Sequence, residues 1–539
     1  MSEDALLTLF DRVADTVGSV EKLRQIILDL AIRGRLVEQD EGDEPVGSLR
    51  DRVSRARFEL GKRAKRKTSG TVYEKHKYPI PPGWAWVELG EYVVIEMGQS
   101  PKSEFYNQDK DGIPFFQGKA DFGKDYPTPR YWCTEPTKYA FPGDILISVR
   151  APVGPTNFCD VDCCIGRGLT ALRCLADSDR MFLRLVVQAL EGDLANLGFG
   201  TTFAAINRQH LEGFIIPLPP LAEQKRIVAK VEDLMGLCDE LEAAHAERER
   251  QRERLNAASL HRIATAPDDD ALRSAARFHF QILPRVTVRP DQIAPLRQTI
   301  LDLAVRGKLV EQDKGDANSP QTLNVSKLDS ESAPFEIPRN WVWTQIGHLA
   351  KLINGDRSKK YPNRTEYVPE GVPWINTGHI EPDGTLSRTR MHHITREKFD
   401  SLGGGKIQGG DLVYCLRGAT IGKTAFVDPL REGAIASSLV IVRFGELVET
   451  RFGFLFLISP PGKAAIKDFD NGTAQPNLSA AGVKKYAIPL PPLAEQHRIV
   501  AKVDELMSLC DELEASLIRS QTESRRLLDA VMAEIQSAA

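Results

Sequence analysis

The residues from Pro217 to Ala243 read PLPPLAEQKRIVAKVEDLMGLCDELEA, and nearly the same residues return from Pro489 to Ala515 as PLPPLAEQHRIVAKVDELMSLCDELEA. The two segments are identical at 23 of 27 positions. A second pair of segments, Leu23 to Asp43 and Leu296 to Asp316, is identical at 17 of 21 positions. A long repeat of this kind identifies the structural unit of a chain. The chain is therefore a duplication in which two connecting segments per half stayed nearly the same.

The segment that begins at Pro217 predicts a long helix. Its prolines end the preceding strand and favour the start of a helix. Apolar residues then recur at spacings of three and four, which places them on one face, as in a heptad seam. In the first copy this apolar stripe is Ile227, Val231, Leu234, Cys238 and Leu241, and in the second copy it is Ile499, Val503, Leu506, Cys510 and Leu513.

The other connector also predicts a helix with one apolar face. That face carries Val13, Val17, Val20, Ile27 and Leu30. The helix should end near Gly34, and its counterpart should run from about Leu296 to Gly307. Two such helices per half are expected to pair as an antiparallel coiled coil. A helix of ~40 residues spans about 60 Å, a length that suits a spacer between two domains.

Between the connectors the two halves diverge. Segments 78–216 and 335–488 contain short runs typical of strands, punctuated by glycine and proline, and stretches typical of helices. Examples are the strand-like runs 144–149 and 411–416 and the helix-like stretches 180–190 and 451–458. We predict two mixed α/β domains. Because the connectors match and the domains differ, the duplication indicates one partner for both connectors and a different ligand for each domain.

Polar and basic residues cluster in the loops of both domains at parallel positions. Asn, Gln, Arg and Lys can pair with base edges, whereas Ser, Thr and Lys suit phosphates. A solvated loop position is the alternative for each residue taken singly. Arg150 and Arg417 are the leading candidates because each directly follows a predicted strand. The candidate DNA contacts are Gln99, Ser100, Lys102, Gln117, Lys119, Arg150, Thr202 and Asn207 in the first domain, and Arg357, Lys359, Lys360, Asn376, Thr377, Arg417 and Asn477 in the second.

Charged residues of the long connector recur as faithfully as its apolar stripe. A buried seam alone does not require this, so the recurrence predicts a charged face on which the same partner docks twice. Recent duplication is the competing explanation. The candidate docking residues are Glu223, Arg226, Asp239 and Glu240, with Glu495, Arg498, Asp511 and Glu512 in the second copy.

The composition is that of an ordinary soluble protein: 42% of residues are hydrophobic, 27% are charged, and the net charge is −4. The charge does not predict DNA binding, although it permits a local basic groove. A basic run at 50–77 either follows phosphates or is an exposed linker, and the second half lacks it. No apolar run reaches the length of a membrane span and no signal peptide is recognisable, so a cytoplasmic location is expected.

Eight cysteines in 539 residues do not indicate a disulfide scaffold. Cys159, Cys163, Cys164 and Cys174 lie close in sequence but lack paired C-x-x-C spacing, so we expect reduced, partly buried thiols and no metal. The sequence also lacks the Asn/Asp-Pro-Pro-aromatic motif of adenine methyltransferases, a Walker A loop and a dinucleotide fingerprint. His392 and His393 have no counterpart in the repeat and are expected to lie in a polar loop. We predict no catalytic residues.

The repeated segments Leu-Pro-Pro-Leu-Ala-Glu-Gln-x-Arg-Ile-Val and Leu-Arg-Gln-x-Ile-Leu-Asp-Leu-Ala-x-Arg-Gly-x-Leu-Val resemble those of type I restriction-modification specificity subunits. The resemblance extends over essentially the whole chain, in the order helix, target recognition domain, helix, target recognition domain, helix. One departure is that residues 475–477, Gln-Pro-Asn, correspond to Phe-Ala-Ala at 203–205. This departure puts in doubt a shared contact at that loop.

The resemblance implies that each domain reads one half of a bipartite sequence in double-stranded DNA. The helices would set the spacing and dock two methyltransferase subunits, and two restriction/translocase subunits would complete the assembly. AdoMet, ATP and Mg²⁺ would serve those partners, and this chain would bind no cofactor.

The sequence therefore predicts an α+β chain with a pseudo-twofold internal repeat. We place helical regions at 1–45, 217–317 and 489–539, and target recognition domains at 46–216 and 318–488. Two other functions stay open. A nuclease or methyltransferase built on this scaffold would act alone with Mg²⁺ or AdoMet, and a coiled-coil scaffold without a DNA role would bind no duplex.

Overall fold

The structure is a computed structural model that describes residues 18–60, 78–176, 178–197, 205–313, 315–316, 328, 333–469 and 477–538. The chain divides into two compact units, one of residues 1–248 with 521–539 and one of residues 249–520. Both units contain helices and strands, which agrees with the predicted mixed fold. No described helix combines the length and the apolar character that crossing a membrane requires.

The first unit contains a helical connector, a domain built on three sheets, and the start of the long connector. Its helices are α1 (Ser19–Ile32), α2 (Val46–Glu59), α3 (Leu89–Tyr92), α4 (Arg180–Ala189), α5 (Glu191–Asn196), α6 (Arg208–Glu212) and the first part of α7 (Leu221–Ala264). Its strands are β1 (Ala85–Glu88), β2 (Val93–Met97), β3 (Tyr106–Asn107), β4 (Ile113–Phe116), β5 (Tyr131–Cys133), β6 (Tyr139–Ala140), β7 (Ile145–Ser148), β8 (Thr156–Phe158), β9 (Cys163–Ile165), β10 (Leu169–Cys174) and β11 (Ile215–Leu218).

The second unit repeats this plan. Its helices are the rest of α7, α8 (Asp269–Val286), α9 (Ala294–Val305), α10 (Ile346–Leu349), α11 (Arg396–Ser401), α12 (Thr450–Ile458), α13 (Pro460–Asp468), α14 (Ala480–Lys484) and most of α15 (Leu493–Ala538). Its strands are β12 (Val342–Gln345), β13 (Ala350–Asn354), β14 (Tyr367–Val368), β15 (Val372–Ile375), β16 (His392–Ile394), β17 (Leu412–Cys415), β18 (Thr424–Phe426), β19 (Ala434–Ile435), β20 (Leu439–Phe444) and β21 (Ala487–Leu490).

The two domains have the same strand order, except that the third sheet of the first domain has one additional strand, β6. In the first domain the sheets are β1-β11, β2-β10-β7-β8 and β3-β5-β4-β9-β6. In the second they are β12-β21, β13-β20-β17-β18 and β14-β16-β15-β19. Each domain has one parallel strand pair, β4 with β9 and β15 with β19, at the equivalent place. The predicted strands at 144–149 and 411–416 and helices at 180–190 and 451–458 are confirmed.

Most residues of the apolar stripes of the long connectors are buried, as predicted, and Leu241, Leu506 and Leu513 are half-buried. Ile227, Val231 and Cys238 of α7 share one core with α1, and Ile499, Val503 and Cys510 of α15 share one with α9. The last part of α15 belongs to the first unit, where Leu528 is buried in the core that α1 also enters. Val13 and Val17 lie outside the described residues.

A glycine two residues after each short connector helix joins that helix to its domain. Gly34 and Gly307 have φ of +69° and +71°, which L side chains rarely adopt. A Cβ at Gly307 would lie 2.7 Å from Cδ of Pro338 and 3.0 Å from Cζ2 of Trp341. At Gly34 it would meet the equivalent proline and tryptophan of the first unit. Glycine is therefore required at both positions for two reasons: the backbone has a positive φ, and a Cβ would overlap a proline and a tryptophan.

Candidate nucleic-acid interface

One short turn draws the ends of three strands together in the first domain. The β9–β10 turn, residues 166–168, reads Gly-Arg-Gly. Its backbone donates to the carbonyl of Phe116 at the end of β4 (2.8 Å) and accepts from the N–H of Val149, directly after β7 (3.0 Å). The N–H of Arg167 donates to the hydroxyl of Ser100, which follows β2 (3.4 Å). The turn therefore fixes which loop residues stand side by side.

Most of the candidates of the first domain lie around this turn. Gln99, Ser100, Gln117 and Arg150 are exposed and follow the ends of β2, β4 and β7. The Ile206 N–H donates to the Val149 carbonyl (3.0 Å), which brings the loop of Asn207 to the same edge. The Asn207 side-chain oxygen accepts from the His210 N–H (3.0 Å) and caps α6.

The remaining first-domain candidates are Lys102, Lys119 and Thr202. Lys102 is exposed and pairs with Glu104 (3.5 Å). Lys119 is exposed and begins the short 3₁₀ turn Lys119–Asp121. Thr202 lies outside the described residues. Arg167 was missed by the sequence reasoning, although it is exposed in the middle of the β9–β10 turn, and its position between two glycines was the available signal.

The second domain is built in the same way around the β19–β20 turn, residues 436–438, which reads Ala-Ser-Ser. Its backbone donates to the Ile375 carbonyl (2.7 Å) and accepts from the Leu416 N–H (2.9 Å). Asn376, Thr377 and Arg417 follow these two strand ends. A β-bridge joins Arg417 to Asn477, as another joins Arg150 to Ala205 in the first domain. The turn therefore brings four of the seven second-domain candidates to one edge.

Three of the four basic candidates of the second domain lie in the loop after β13. Arg357, Lys359 and Lys360 are all exposed. Asp356 organises the loop, because its carboxylate accepts from the N–H of Ser358 and of Gly403 (both 2.6 Å). A hydrogen bond from the Ser358 side chain, together with these two backbone bonds, lowers the pKa of Asp356 from its ordinary value. The loop is thus a fixed turn that presents three cationic side chains to solvent.

A buried ion pair supports each edge and was not foreseen. Arg173 binds the carboxylate of Asp144 through Nε (2.9 Å) and Nη2 (2.7 Å), and Arg443 binds Asp411 in the same bidentate way (2.7 and 2.8 Å). Each aspartate directly precedes the strand that leads to Arg150 or Arg417. Hydrogen bonding to the buried aspartate raises the pKa of each of the two arginines. The pairs therefore hold the start of the strand on which the leading candidate stands.

The family model of the type I restriction modification DNA specificity domain matches residues 81–248 and, a second time, residues 338–521. The chain belongs to this specificity family. Its specificity subunits recognise DNA sequence and are not themselves enzymes. The predictions of DNA recognition and of a non-catalytic subunit are therefore confirmed. The two alternatives, a nuclease or methyltransferase on this scaffold and a coiled-coil scaffold without a DNA role, are not supported.

Two type I specificity subunits of Escherichia coli are similar to this chain over nearly its full length. The Type I restriction enzyme EcoAI specificity subunit of Escherichia coli is 26% identical, over 95% of this chain and 93% of the relative. The EcoEI specificity subunit of Escherichia coli is 25% identical, with the same coverage. Among solved structures, the HsdS subunit from Thermoanaerobacter tengcongensis is 44% identical over 38% of this chain and 50% of that chain, with a TM-score of 0.30.

Two predicted docking residues of the specificity subunit are buried. Glu223 accepts from Gln39 Nε2 (2.6 Å) and Trp84 Nε1 (2.9 Å), and Glu495 accepts from Gln312 Nε2 (2.6 Å). Burial raises the pKa of both carboxyl groups. The assignment of Glu223 and Glu495 to a docking face is therefore wrong, because their side chains are buried and bonded to other residues of their own unit.

Other docking candidates are engaged within their units but remain partly accessible. Arg226 pairs with Asp43 (2.7 Å), and Arg498 pairs with Asp316 (2.7 Å). Asp239 pairs with Arg24 (2.5 Å). Asp511 pairs with Arg297 in the same way (2.6 Å). Glu240 and Glu512 are exposed beside these pairs.

Three further expectations concern histidines, cysteines and the basic run. His392 and His393 are not in a polar loop but begin β16, where cross-strand pairing with β15 overrides their polarity. Cys159 Sγ and Cys163 Sγ lie 3.4 Å apart in a buried cluster, and the described residues contain no group of three or more side chains suited to a metal. The basic run starts in α2, where Arg57 donates to a backbone carbonyl, and its residues 61–77 are outside the described part.

Proposed function

We propose that each domain of this specificity subunit reads one half of a bipartite target in double-stranded DNA. The observation that supports the proposal is that the two domains share one backbone arrangement but carry different side chains at equivalent positions. Apart from the additional strand β6 of the first domain, both domains have the same strand order, and in both an equivalent turn draws strand ends together. At the equivalent positions the first domain has Arg167 and Gln117, which are exposed, whereas the second has Ser437 and Asn376, which are half-buried. Different side chains on one framework suit two different half-sites.

The decisive experiment is long-read methylation mapping of a host that expresses the chain with its methyltransferase partner. We expect methylation at one bipartite motif with unspecified bases between the halves. A continuous motif, or methylation independent of this chain, would contradict the proposal.

Exchange of residues 78–216 for the domain of another family member tests whether the two domains recognise their half-sites independently. We expect the exchange to replace one half of the mapped motif and to leave the other half and the spacing unchanged. The matched control is the same exchange over residues 335–488, which should change the other half alone. A simultaneous change in both halves would exclude independent reading.

We further propose that the connectors pair as antiparallel coiled coils, relate the halves by a pseudo-twofold axis and set the spacing. Contacts within each unit support the pairing, since α1 packs on α7 and α9 packs on α15. Insertion of one heptad after Val231 keeps the apolar stripe in phase, and we expect it to change the number of unspecified bases. An unchanged spacer would remove this role from α7.

Two methyltransferase subunits are proposed to dock on the equivalent charged faces of the connectors. Glu240 and Glu512 are the best-placed residues, because they are exposed and recur in near-identical surroundings. Two restriction/translocase subunits would join, and AdoMet, ATP and Mg²⁺ would serve these partners in the cytoplasm. Glu240→Lys with Glu512→Lys should abolish copurification of the methyltransferase, whereas Glu135→Lys on an exposed loop should not. Unimpaired copurification of the double variant would place docking elsewhere.

A further inference from the structure

The same three strand positions in each domain carry ring side chains, and a side-chain amide directly follows the central strand. In the first domain the rings are Tyr106 on β3, Phe115 on β4 and Tyr131 on β5, and Gln117 directly follows β4. In the second domain they are Tyr367 on β14, Trp374 on β15 and His392 on β16, and Asn376 directly follows β15. Strand pairing sets Phe115 opposite Tyr131 and Trp374 opposite His392. The correspondence therefore holds residue by residue.

In the second domain the amide has one fixed orientation. Asn376 Oδ1 accepts from the Gly378 N–H (2.9 Å), and Asn376 Nδ2 lies 3.0 Å from His392 Nδ1. Because an amide nitrogen can only donate, His392 Nδ1 must be the acceptor. These two bonds determine which end of the amide is the donor.

The ring of His392 is itself held in place. It stacks on Tyr367 with 4.8 Å between centroids and 23° between planes, and it meets His379 edge-on at 4.7 Å. Tyr367 Oη accepts from Trp374 Nε1 (3.2 Å), and Trp374 is fully buried. Tyr361 packs edge-on against Trp374 at 5.3 Å. The orientation of Asn376 thus rests on a packed chain of rings.

Asn376 and His392 open onto a cleft of about 670 Å³. Ser438 of the β19–β20 turn and Arg364 also line it, and among the described residues that line it none is acidic. An amide has two N–H groups and two oxygen lone pairs, and the bonds within the protein use one of each. What remains is a donor beside an acceptor, the pattern that pairs with N7 and N6 of adenine in the major groove.

We propose that Asn376 reads one adenine of the second half-site and that His392 is the positioning residue that orients its amide. The inference rests on the proposed function and deepens it by naming a base for one residue.

Loss of the acceptor on His392 would leave Asn376 Nδ2 without its partner in this assembly. The amide would then be free to turn, which reverses donor and acceptor and breaks the bond from Gly378. Tyr131 stands in the place of His392 in the first domain, so the effect of removing the acceptor should be confined to the second half-site.

The test uses the full chain with its methyltransferase and duplexes that carry the mapped target. Each adenine of the second half-site is replaced singly by 7-deazaadenine, which lacks the N7 acceptor. We expect one replacement to weaken binding of the unaltered chain at least about tenfold and to have no further effect on Asn376→Asp, which keeps the cap but loses the donor. A second half-site without adenine, or equal losses in both chains at every adenine, overturns the inference.

Rescue by an acceptor provides a readout that a purely structural role would not produce. His392→Gln, which retains an acceptor, should keep discrimination at that adenine, whereas His392→Phe, which has none, should lose it by about tenfold. Equal discrimination in the two variants overturns the positioning role. Tyr131→Phe is the matched control in the first domain and should leave the second half-site unaffected. If the complex shows no sequence preference at all, the proposed function fails, whereas retained preference without the Asn376 effect defeats only this inference.

Discussion

Substitution of Gly307 by alanine measures how firmly the short connector is joined to the second domain. Gly307 has φ of +71°, and forcing alanine into this region costs about 1–2 kcal/mol. The new methyl group would also lie 2.7 Å from Cδ of Pro338 and 3.0 Å from Cζ2 of the buried Trp341, and overpacking of this kind costs about 1–3 kcal/mol. We therefore expect Gly307→Ala to destabilise the second unit by ~2–5 kcal/mol.

The matched control is Gly410, which has φ of +85° but no atom within 4 Å of a new Cβ. Gly410→Ala should cost only the conformational part, about 1–2 kcal/mol. The free energy of unfolding of the second unit in both variants is measured by urea unfolding, monitored through hydrogen exchange in peptides from residues 249–520. If Gly307→Ala destabilises the unit no more than Gly410→Ala, the close contact with Pro338 and Trp341 does not constrain the joint.

Arg443→Ala should destabilise the second unit by about 3–5 kcal/mol in urea unfolding, because it leaves the buried Asp411 without its partner; a loss below 1 kcal/mol would mean that water replaces the guanidinium. The ion pair with Arg498 holds the pKa of Asp316 below its usual value, so its stabilisation is complete above the unfolded pKa near 3.8 and lost as pH falls through the lower folded pKa. Asp316→Asn should therefore flatten the decline of the melting temperature between pH 5 and 2.5, and an unaltered decline would exclude this pair as its cause. Arg150→Ala should weaken binding to the first half-site by ~1–3 kcal/mol and leave the second unaffected, as competition with half-site variants would show; equal affinity would make Arg150 a solvated loop residue.

Features set by local periodicity or by the repeat were predictable. The stripe of Ile227 and Val231 is visible because helix spacing places both residues on one face. The strand at 145–148 is a short apolar run after Gly143 and Asp144. The family resemblance named the ligand class, since a net charge of −4 gave no indication of DNA.

Features that depend on distant contacts were not predictable. Asp144 and Arg173 are 29 residues apart, and only the neighbouring positions of β7 and β10 bring them together. His392 was expected in a loop, because nothing near it in sequence indicates that β16 pairs with β15. Glu223 was misassigned for a physical reason. A charged residue recurs equally well when it serves an identical internal bond, here to Gln39 at a separation of 184 residues.

The end of α15 has a consequence for biosynthesis. The core around α1 includes Leu528, and Lys22 forms an ion pair with Asp529, so the first unit draws on residues near the end of the chain. Residues 249–520 contain all the segments of the second unit. During translation, at roughly 5–20 residues per second, the unit encoded later can therefore be complete on the ribosome first. The unit encoded earlier has to wait, with part of its α1 surface uncovered, until the codons for the last part of α15 have been read.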